Sequence, residues 1–376
     1  MDEELTVLPA LIALSLGIAL WMAHYRMNAV KKPQLDYQPS AFNRRMVQRL
    51  EQLRQPYRPT PWLYNTHLQL LWLVLKDALA PRLRYDCNER LTMPDGGTVS
   101  LDWLGSDCAS QTPTLVVLHT ISGDAHSMRA FVSELRRLSG WCIVICTRRG
   151  HGSLPLTAPA INTMGCTNDL RAQLRRIHER FPESPLYAVG VSAGSGLLVR
   201  YLGEEGPRSL IRSGVAYCPG YDISVAFQRS HPFYSRKVAQ TLKRKFLEPH
   251  AAHFAHLPSY ETCLAARELA EFQDHIFEMA GCSSRDEYLA RSNPMQVSEH
   301  IAVPVLVLNA DDDPLCVLQN TLEHVDSVKQ IKDALLVRTT RGSHCAYFEG
   351  WLARSWANRL VVNYFLAVHH ELSGAS

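Results

Sequence analysis

The chain lacks several features that mark other classes of protein. Its 376 residues include 39 basic and 36 acidic side chains, so there is no basic excess of the kind that binds nucleic acid. Ten cysteines are present without a CxxC pair, which argues against a zinc site, and disulfide scaffolds are usually much shorter chains. With 46% hydrophobic and 20% charged residues, the chain is not mainly disordered. We expect a folded protein with no metal site and no nucleic-acid partner.

One stretch near the N-terminus lacks Asp, Glu, Lys and Arg altogether. It comprises the 21 residues between Glu4 and Arg26. As a helix they would span roughly 30 Å, which is enough to cross the hydrocarbon core of a bilayer. The residues before the stretch are acidic, whereas a secretory signal peptide begins with basic residues. We expect residues 1–30 to be an uncleaved transmembrane anchor and residues 31–85 to be a linker and membrane-proximal segment.

The residues that follow the anchor bear on its orientation. Arg26, Lys31 and Lys32 come directly after the apolar stretch, and positive charge favours the cytoplasmic side. The chain contains no N-x-[ST] sequon, which agrees with a cytoplasmic catalytic domain. The charge pattern does not distinguish the endoplasmic reticulum from the plasma membrane. Trp62 and Trp72 in the linker either lie against the membrane surface or pack on the domain.

From residue 86 onward, short apolar runs alternate with amphipathic stretches. The runs at 114–119, 142–147, 186–191, 213–218 and 303–310 are typical of buried parallel strands. Residues 98–104 alternate in polarity after a turn, which predicts an antiparallel edge strand. Residues 128–138 and 167–180 separate apolar from basic side chains at helical spacing. The pattern predicts a doubly wound α/β domain over residues 86–372.

Residues 220–300 interrupt this alternation and contain no convincing strand. An insertion of this length is too long for an ordinary loop. We interpret it as a helical cap over the carboxyl ends of the strands, where α/β sheets bind ligands. Its aromatic residues are candidates for the wall of an apolar pocket: Phe227, Phe233, Tyr234, Phe246, Phe254 and Phe272.

The pattern G-x-S-x-G occurs where the predicted strand 186–191 ends. It consists of Gly190, Ser192 and Gly194 with their neighbours, and a helical pattern follows it. In a nucleophile elbow the serine adopts a strained backbone conformation, and glycines on either side avoid collisions. Ser192 is therefore the candidate nucleophile.

A serine nucleophile needs a base, and in this architecture an acid and then a histidine follow it along the chain. Three consecutive aspartates follow the predicted strand 303–310, and His344 follows the next predicted strand. His344 is the candidate base. We favour Asp313 as the acid because it directly precedes Pro314, with Asp312 as the alternative.

Acyl transfer also requires donors for the developing oxyanion. One is the backbone N–H of Ala193, and the second is that of Thr120 or Ile121 in the loop after strand 114–119. The same loop has an HxxxxD spacing, from His119 to Asp124, that is sometimes associated with acyltransferases. We favour a structural role for that short pattern.

Several motifs together resemble the AB hydrolase 4 family of single-pass membrane α/β-hydrolases. They are the anchor, the elbow, Asn-Thr-His-Leu-Gln at 65–69, Tyr-Leu-Gly-Glu at 201–204, Asn-Ala at 309–310 and Asp-Asp-Pro at 312–314. Thr-Met-Gly-Cys-Thr at 163–167 and Phe-Glu-Gly at 348–350 most resemble its monoacylglycerol lipase type. The resemblance implies an α/β-hydrolase fold with a mostly parallel sheet of about eight strands. It also implies a type II orientation, which disagrees with the orientation predicted from charge.

The resemblance further implies a Ser–Asp–His triad at Ser192, Asp313 and His344, with no cofactor. It suggests hydrolysis of lipid esters such as monoacylglycerols or phospholipids. The family usually has His-Gly where this chain has His119 and Thr120, so a side chain is expected to narrow the oxyanion loop. The alternatives are a non-catalytic lipid-binding or receptor-like homologue and an acyltransferase that uses the same nucleophile. The sequence says nothing about protein partners.

Overall fold

The computed structural model describes residues 2–374, with side chains from residue 9 onward. The anchor prediction extends to Met1 and to the acidic side chains of residues 2–4, which lie outside the described residues. The strands are β1 (Gln34–Tyr37), β2 (Cys87–Thr92), β3 (Thr98–Leu104), β4 (Thr114–Leu118), β5 (Cys142–Thr147), β6 (Leu186–Val191), β7 (Ile211–Tyr217), β8 (Val305–Ala310), β9 (Ala334–Thr339), β10 (Phe348–Glu349) and β11 (Arg354–Ser355).

Helices surround these strands. Before β4 they are α1 (Asp2–Asn28), α2 (Ala41–Arg49), α3 (Glu51–Arg54) and α4 (Thr66–Leu79). Between β4 and β7 they are α5 (Arg129–Ser139), α6 (Thr167–Arg180) and α7 (Ala193–Glu205). Between β7 and β8 they are α8 (Ile223–Ala226), α9 (Pro232–Leu242), α10 (Ala251–Phe254), α11 (Ser259–Ala265), α12 (Leu269–His275) and α13 (Arg285–Ser292). The last are α14 (Leu318–Glu323), α15 (Val325–Gln330) and α16 (Trp356–Ser373).

Nine of the described strands form one twisted sheet in the order β1-β9-β8-β7-β6-β4-β5-β3-β2. Strands β4 to β9 run parallel to one another, and β3 pairs antiparallel with β5. The sheet has one strand more than the eight expected, because Gln34–Tyr37 pairs antiparallel with the edge of β9. The segment expected to be a linker therefore contributes an edge strand.

Successive side chains of the central strands point to opposite faces of the sheet, and a hydrophobic core lies on each face. On β4, Leu115 and Val117 pack in the core that contains residues of α5 and α16. Val116 and Leu118 belong to the opposite core, which contains residues of α6 and α7. Because both faces are covered, the central strands are apolar throughout. The carboxyl ends of β4, β6, β8 and β9 meet at one edge of the sheet.

The insertion between β7 and β8 is helical, as the sequence predicts. Helices α8 to α13 lie within it, and the described residues between β7 and β8 form no strand. These helices have a hydrophobic cluster of their own, which includes Phe254, Leu269 and Phe272. The insertion is held to the sheet side by backbone bonds, such as the one from the His231 N–H to the Pro314 oxygen at 2.7 Å.

One described helix is long and apolar enough, by length and composition, to cross a membrane: the part of α1 at Pro9–Asn28. Only its last turns contact the rest of the chain. The Tyr25 hydroxyl donates to the Pro59 oxygen at 2.6 Å, and His24 Nδ1 lies 3.2 Å from the Tyr64 hydroxyl.

The membrane-proximal tryptophans pack on the domain. Trp72 contacts the small cluster around Leu63 and Phe348, and its ring lies edge-on to Trp62 with centroids 4.9 Å apart. Other apolar side chains of α4, among them Leu71 and Leu79, remain exposed. The packing alternative raised by the sequence therefore holds for these two tryptophans.

Arg149, which follows β5, forms the best-paired buried cation near the strand ends. It donates to Asp169 on α6 and to Asp95 in the turn before β3. Arg149 and Asp169 are buried, whereas the Asp95 side chain is 53% exposed. The cluster therefore contains one buried ion pair, between Arg149 and Asp169, and one partly exposed ion pair, between Arg149 and Asp95.

The two carboxylates of this cluster should contribute differently to stability. Asp169→Asn should lower the free energy of unfolding by about 3 kcal/mol or more, because it removes the buried partner of a buried cation. Asp95→Asn should cost about 1 kcal/mol or less, because its pair is solvent-screened. Thermal and denaturant unfolding of the full chain in detergent measures both, and equal losses would contradict the assignment.

Candidate active site

Ser192 lies at a sharp turn between β6 and α7. Its backbone has φ +54° and ψ −120°, which an L-residue rarely adopts. A Cβ at Gly190 would overlap the carbonyl of Gly194, and a Cβ at Gly194 would overlap the carbonyl of Leu118. Both glycines of the motif are therefore required by packing, and the turn is the elbow that the sequence predicts.

The structure brings the three predicted triad residues into one line of contacts. Ser192 Oγ lies 2.9 Å from Nε2 of His344, and the Nδ1 atom of that ring lies 2.8 Å from Oδ2 of Asp313. His344 follows β9 and Asp313 follows β8, so adjacent parallel strands deliver both side chains to the elbow. The contacts join residues up to 152 positions apart.

The three consecutive aspartates have different partners. Asp313 is buried, and its second oxygen accepts the N–H groups of Leu315 at 2.8 Å and Cys316 at 2.9 Å. Asp312 Oδ1 accepts the Ser343 N–H at 2.8 Å, and its Oδ2 has no hydrogen-bond partner among the described residues. Of these two candidates for the acid, only Asp313 contacts the imidazole.

Asp311 points away from the elbow and interacts with Arg338, whose Nη1 lies 3.4 Å from Oδ1. The three carboxylates that follow β8 therefore have different partners. Burial raises the pKa of Asp311, and the Arg338 charge opposes that shift.

Two pKa values in this region depart from their ordinary range for different reasons. Burial lowers the pKa of His344, but the charge and hydrogen bond of Asp313 outweigh it, so the pKa lies well above 6.5. Burial raises the pKa of Asp312 to about 6, against a smaller opposing effect from the Ser343 N–H.

The loop after β4 provides the candidate oxyanion donors. The Thr120 oxygen accepts from Arg148 and, at 3.1 Å, from the Gly123 N–H. In a trans peptide the carbonyl and the following N–H point in opposite directions, so the Ile121 N–H points away from Arg148. Ile121 lines the same cavity as Ser192, and its N–H has no acceptor within the described chain. Ala193 begins α7, where the N–H groups are free. The geometry favours Ile121 over Thr120 as the second donor.

The HxxxxD spacing does not form a catalytic pair in this structure. The His119 ring is fully buried and accepts the Arg148 N–H at 3.2 Å through Nε2. Asp124 instead accepts the Ser127 N–H at 2.7 Å. Both residues therefore have structural contacts, as expected from the sequence.

A cavity adjoins the elbow. Ser192 and His344 contribute its polar end, and Met164, Phe227 and Leu269 are among its apolar walls. A second chamber shares Ile121, Met164 and Ala193 with the first. Both chambers lie between the sheet edge and the cap.

The cap aromatics proposed as pocket walls divide into several groups. Phe227 lines the first chamber, while Phe246 and Phe272 line the second. Phe254 is buried in the core of the cap and lines neither chamber. Phe233 is exposed, and the Tyr234 hydroxyl lies 2.8 Å from His67 on α4. Composition alone did not distinguish these environments.

The family of this chain follows from the comparison with known proteins. Residues 113–350 match the family described as alpha/beta hydrolase fold. The chain belongs to this family. The predicted fold is thereby confirmed, and the N-terminal helix lies outside the matched residues.

Individual relatives extend beyond this central region. Phospholipase ABHD3 of Bos taurus is 26% identical, over 96% of this chain and 91% of its own. Human monoacylglycerol lipase ABHD2 is 25% identical, over 89% of this chain and 85% of its own. A solved protein of unknown function from Staphylococcus aureus covers 75% of this chain and 99% of its own, with TM-score 0.52 and 13% identity, and it agrees in fold alone.

Sequence reasoning missed the residues that support the oxyanion loop. Arg148 contacts the carbonyls of His119 and Thr120, and His151 Nε2 lies 3.1 Å from the Ile121 oxygen. Lys245, in the cap, donates to the Ser122 oxygen at 2.9 Å. The available signal was the run Thr-Arg-Arg-Gly-His at 147–151, which follows β5 at the same edge of the sheet.

Two side-chain groups near the elbow have the composition of metal ligands. Asp313, Cys316 and His344 form one, and Cys218, His344 and Cys345 form the other. In both groups His344 already contacts Ser192 and Asp313. Burial raises the pKa of the Cys316 thiol to about 11.

The shifted pKa of Asp312 predicts a pH dependence of stability. The pKa of the Asp312 carboxyl is about 6 in the folded chain, above its ordinary value of 3.8. The protonated carboxyl therefore contributes stability that is fully present below pH 3.8 and is lost as the pH rises through 6. Asp312→Asn should remove this loss. Between pH 4 and pH 7.5 the variant should gain stability relative to wild type, by up to about 3 kcal/mol. Denaturant unfolding across that pH range measures it, and parallel curves would contradict it.

Proposed function

We propose that this chain is a membrane-anchored serine hydrolase, a lipase or esterase that cleaves acyl esters such as monoacylglycerols or phospholipids. The observation that carries the proposal is the line of contacts from Ser192 through His344 to Asp313. The names of the relatives, a phospholipase and a monoacylglycerol lipase, support the choice of lipid esters.

The chemistry begins with attack of Ser192 Oγ on the ester carbonyl, while its proton passes to Nε2 of His344. Asp313 holds the imidazole in place and stabilises its cation. The oxyanion that develops accepts the N–H groups of Ala193 and Ile121. His344 then returns the proton to the leaving alkoxide. Water, activated by the same imidazole, releases the acyl group from Ser192.

The shape of the first chamber supports an acyl-chain substrate. Its walls are mainly apolar, and Ser192 and His344 lie together at one part of it. Transfer of an alkyl chain from water into this chamber stabilises the complex by about 0.8 kcal/mol for each methylene group. The acyl chain of the substrate occupies this chamber in the proposed complex.

Membrane attachment is part of the proposal because acylglycerols partition into bilayers. Helix α1 is the anchor, and the exposed apolar side chains of α4 extend the membrane-facing surface. Trp351 and Leu352 belong to the same surface, since the Trp62 indole donates to the Trp351 oxygen at 3.0 Å. The positive charges after α1 support a cytoplasmic position of the catalytic domain.

The first experiment tests whether Ser192 is an activated nucleophile. Membranes that express wild type or Ser192→Ala are treated with a fluorophosphonate probe, which reacts with activated serines. We expect wild type to be labelled and the variant to be unlabelled, with hydrolysis lost in parallel. Thermal unfolding controls for folding of the variant. Absence of labelling in folded wild type would instead support a non-catalytic, lipid-binding protein.

The raised pKa of His344 predicts the pH profile. The base must be neutral, so kcat/KM should rise with pH through a midpoint above 6.5. Asp313→Asn removes the charge that raises this pKa. It should move the midpoint to lower pH and reduce kcat by about 10⁴-fold.

Asp312→Asn is the matched control for this experiment, because it neutralises the neighbouring carboxylate without touching the imidazole. Its midpoint and rate should remain much closer to those of wild type. The reverse ranking of the two variants would assign the acid to Asp312.

A further inference from the structure

Arg148 is a buried cation that no described carboxylate neutralises. Its neighbour Arg149 is also buried, but contacts both Asp95 and Asp169. Arg148 lies at the carboxyl end of β5, next to the oxyanion loop, and is only 4% exposed. Burial of an unpaired charge costs several kcal/mol, so the absence of a counter-charge requires an explanation.

The contacts of Arg148 are all with neutral groups. Its Nη2 lies 3.3 Å from the His119 oxygen and also contacts the Thr120 oxygen, while its Nε lies 3.4 Å from His119 Nε2. Nη1 has no hydrogen-bond acceptor among the described residues. Support of the loop carbonyls accounts for Nη2 and the contact with the His119 ring accounts for Nε, and neutral donors would provide both contacts at lower cost. Neither the positive charge nor Nη1 is explained by that role.

Arg148 lines the second chamber, where another donor is free. Gln273, on cap helix α12, also lines that chamber and is buried. Its Oε1 accepts the hydroxyl of Tyr288, while its Nε2 has no acceptor among the described residues. The sheet edge and the cap thus each present an uncommitted N–H donor to one enclosed space.

We propose that the second chamber binds an anionic oxygen group, phosphate or carboxylate, through Arg148 and Gln273. This inference rests on the proposed function and specifies its substrate. The acyl chain occupies the first chamber, and the charged group of the leaving alcohol occupies the second. Since Ala193 and Ile121 border both chambers, the ester carbonyl lies between them, beside Ser192. An acidic lipid ester therefore fits the combined site better than a neutral monoacylglycerol.

The first arm of the test compares two substrates with the same acyl chain, a 1-acylglycerol 3-phosphate and a 1-acylglycerol. Full-length protein in detergent should show the higher kcat/KM for the phosphate ester. Arg148→Gln should lower both values, because Arg148 also contacts the oxyanion loop. The ratio of phosphate to neutral ester should fall by about tenfold or more, as expected for loss of a charged hydrogen bond.

Gln273→Glu provides a second variant that does not touch the oxyanion loop. It introduces a negative charge into the second chamber and should reduce the same ratio by repulsion. Arg236→Gln is the matched control, because it removes one cation from the outside of the cap. The ratio for that control should equal the wild-type ratio, which excludes a general effect of net charge.

The second arm measures binding without turnover. Inorganic phosphate should raise the thermal unfolding temperature of Ser192→Ala, and the added Arg148→Gln change should abolish the shift. A shift without substrate preference would identify the anion as a separate ligand of the same site. Equal kcat/KM for both esters together with no phosphate-dependent shift would overturn the proposal. Failure of the serine hydrolase proposal is recognised separately, since hydrolysis of both esters would then be absent.

Discussion

The strained turn at Ser192 depends on very close packing between neighbouring backbones. Gly194 lies against the end of β4 so closely that no side chain fits at its position, and Gly190 packs equally closely against Gly194. This contact sets the distance between the elbow and the loop after β4. Since that loop holds Ile121, the same packing sets the position of the proposed oxyanion donor relative to the Ser192 hydroxyl, and both residues line one cavity. A rigid parallel sheet is well suited to hold such a contact, because each strand is paired on both sides.

The remaining parts of the site are supported from several directions. Arg148 and His151 hold the oxyanion loop from β5, and Lys245 contacts it from the cap. The loop that contains His344 is contacted by Thr66 at the start of α4. Thr66 Oγ1 donates to the backbone oxygen of Asp312 at 2.8 Å and lies 2.7 Å from Ser343 Oγ. Helix α4 therefore links the loop of the candidate base to the surface that we propose faces the membrane.

This arrangement connects the proposed location of the enzyme to its substrate. The proposed anchor α1 precedes β1, and the exposed face of α4 lies between β1 and β2 in the chain. The cap covers two chambers with mainly apolar walls, and the second also contains Arg148, which no described carboxylate neutralises. A lipid ester has the same division into an apolar chain and a polar head. The presence of a buried cation in only one of the two chambers is explained if the chain and the head of one lipid molecule bind at the same time.

The sequence by itself predicted the parallel strands, the elbow and the apolar N-terminal helix. These features depend on local patterns: apolar runs, glycine at fixed offsets and a stretch without charge. The sequence placed residues 98–104 at the edge of the sheet, where the structure has β2 instead. Local patterns did not reveal that Gln34–Tyr37 joins the edge of the sheet, because a short strand acquires its partner only in the folded chain. They also left Asp312 and Asp313 open, as well as Thr120 and Ile121. Only the tertiary structure decided their environments, because the direction of a side chain or peptide depends on neighbours distant in sequence. The sequence did not reveal for the same reason that no described carboxylate neutralises Arg148, since this depends on which acidic groups the fold brings near.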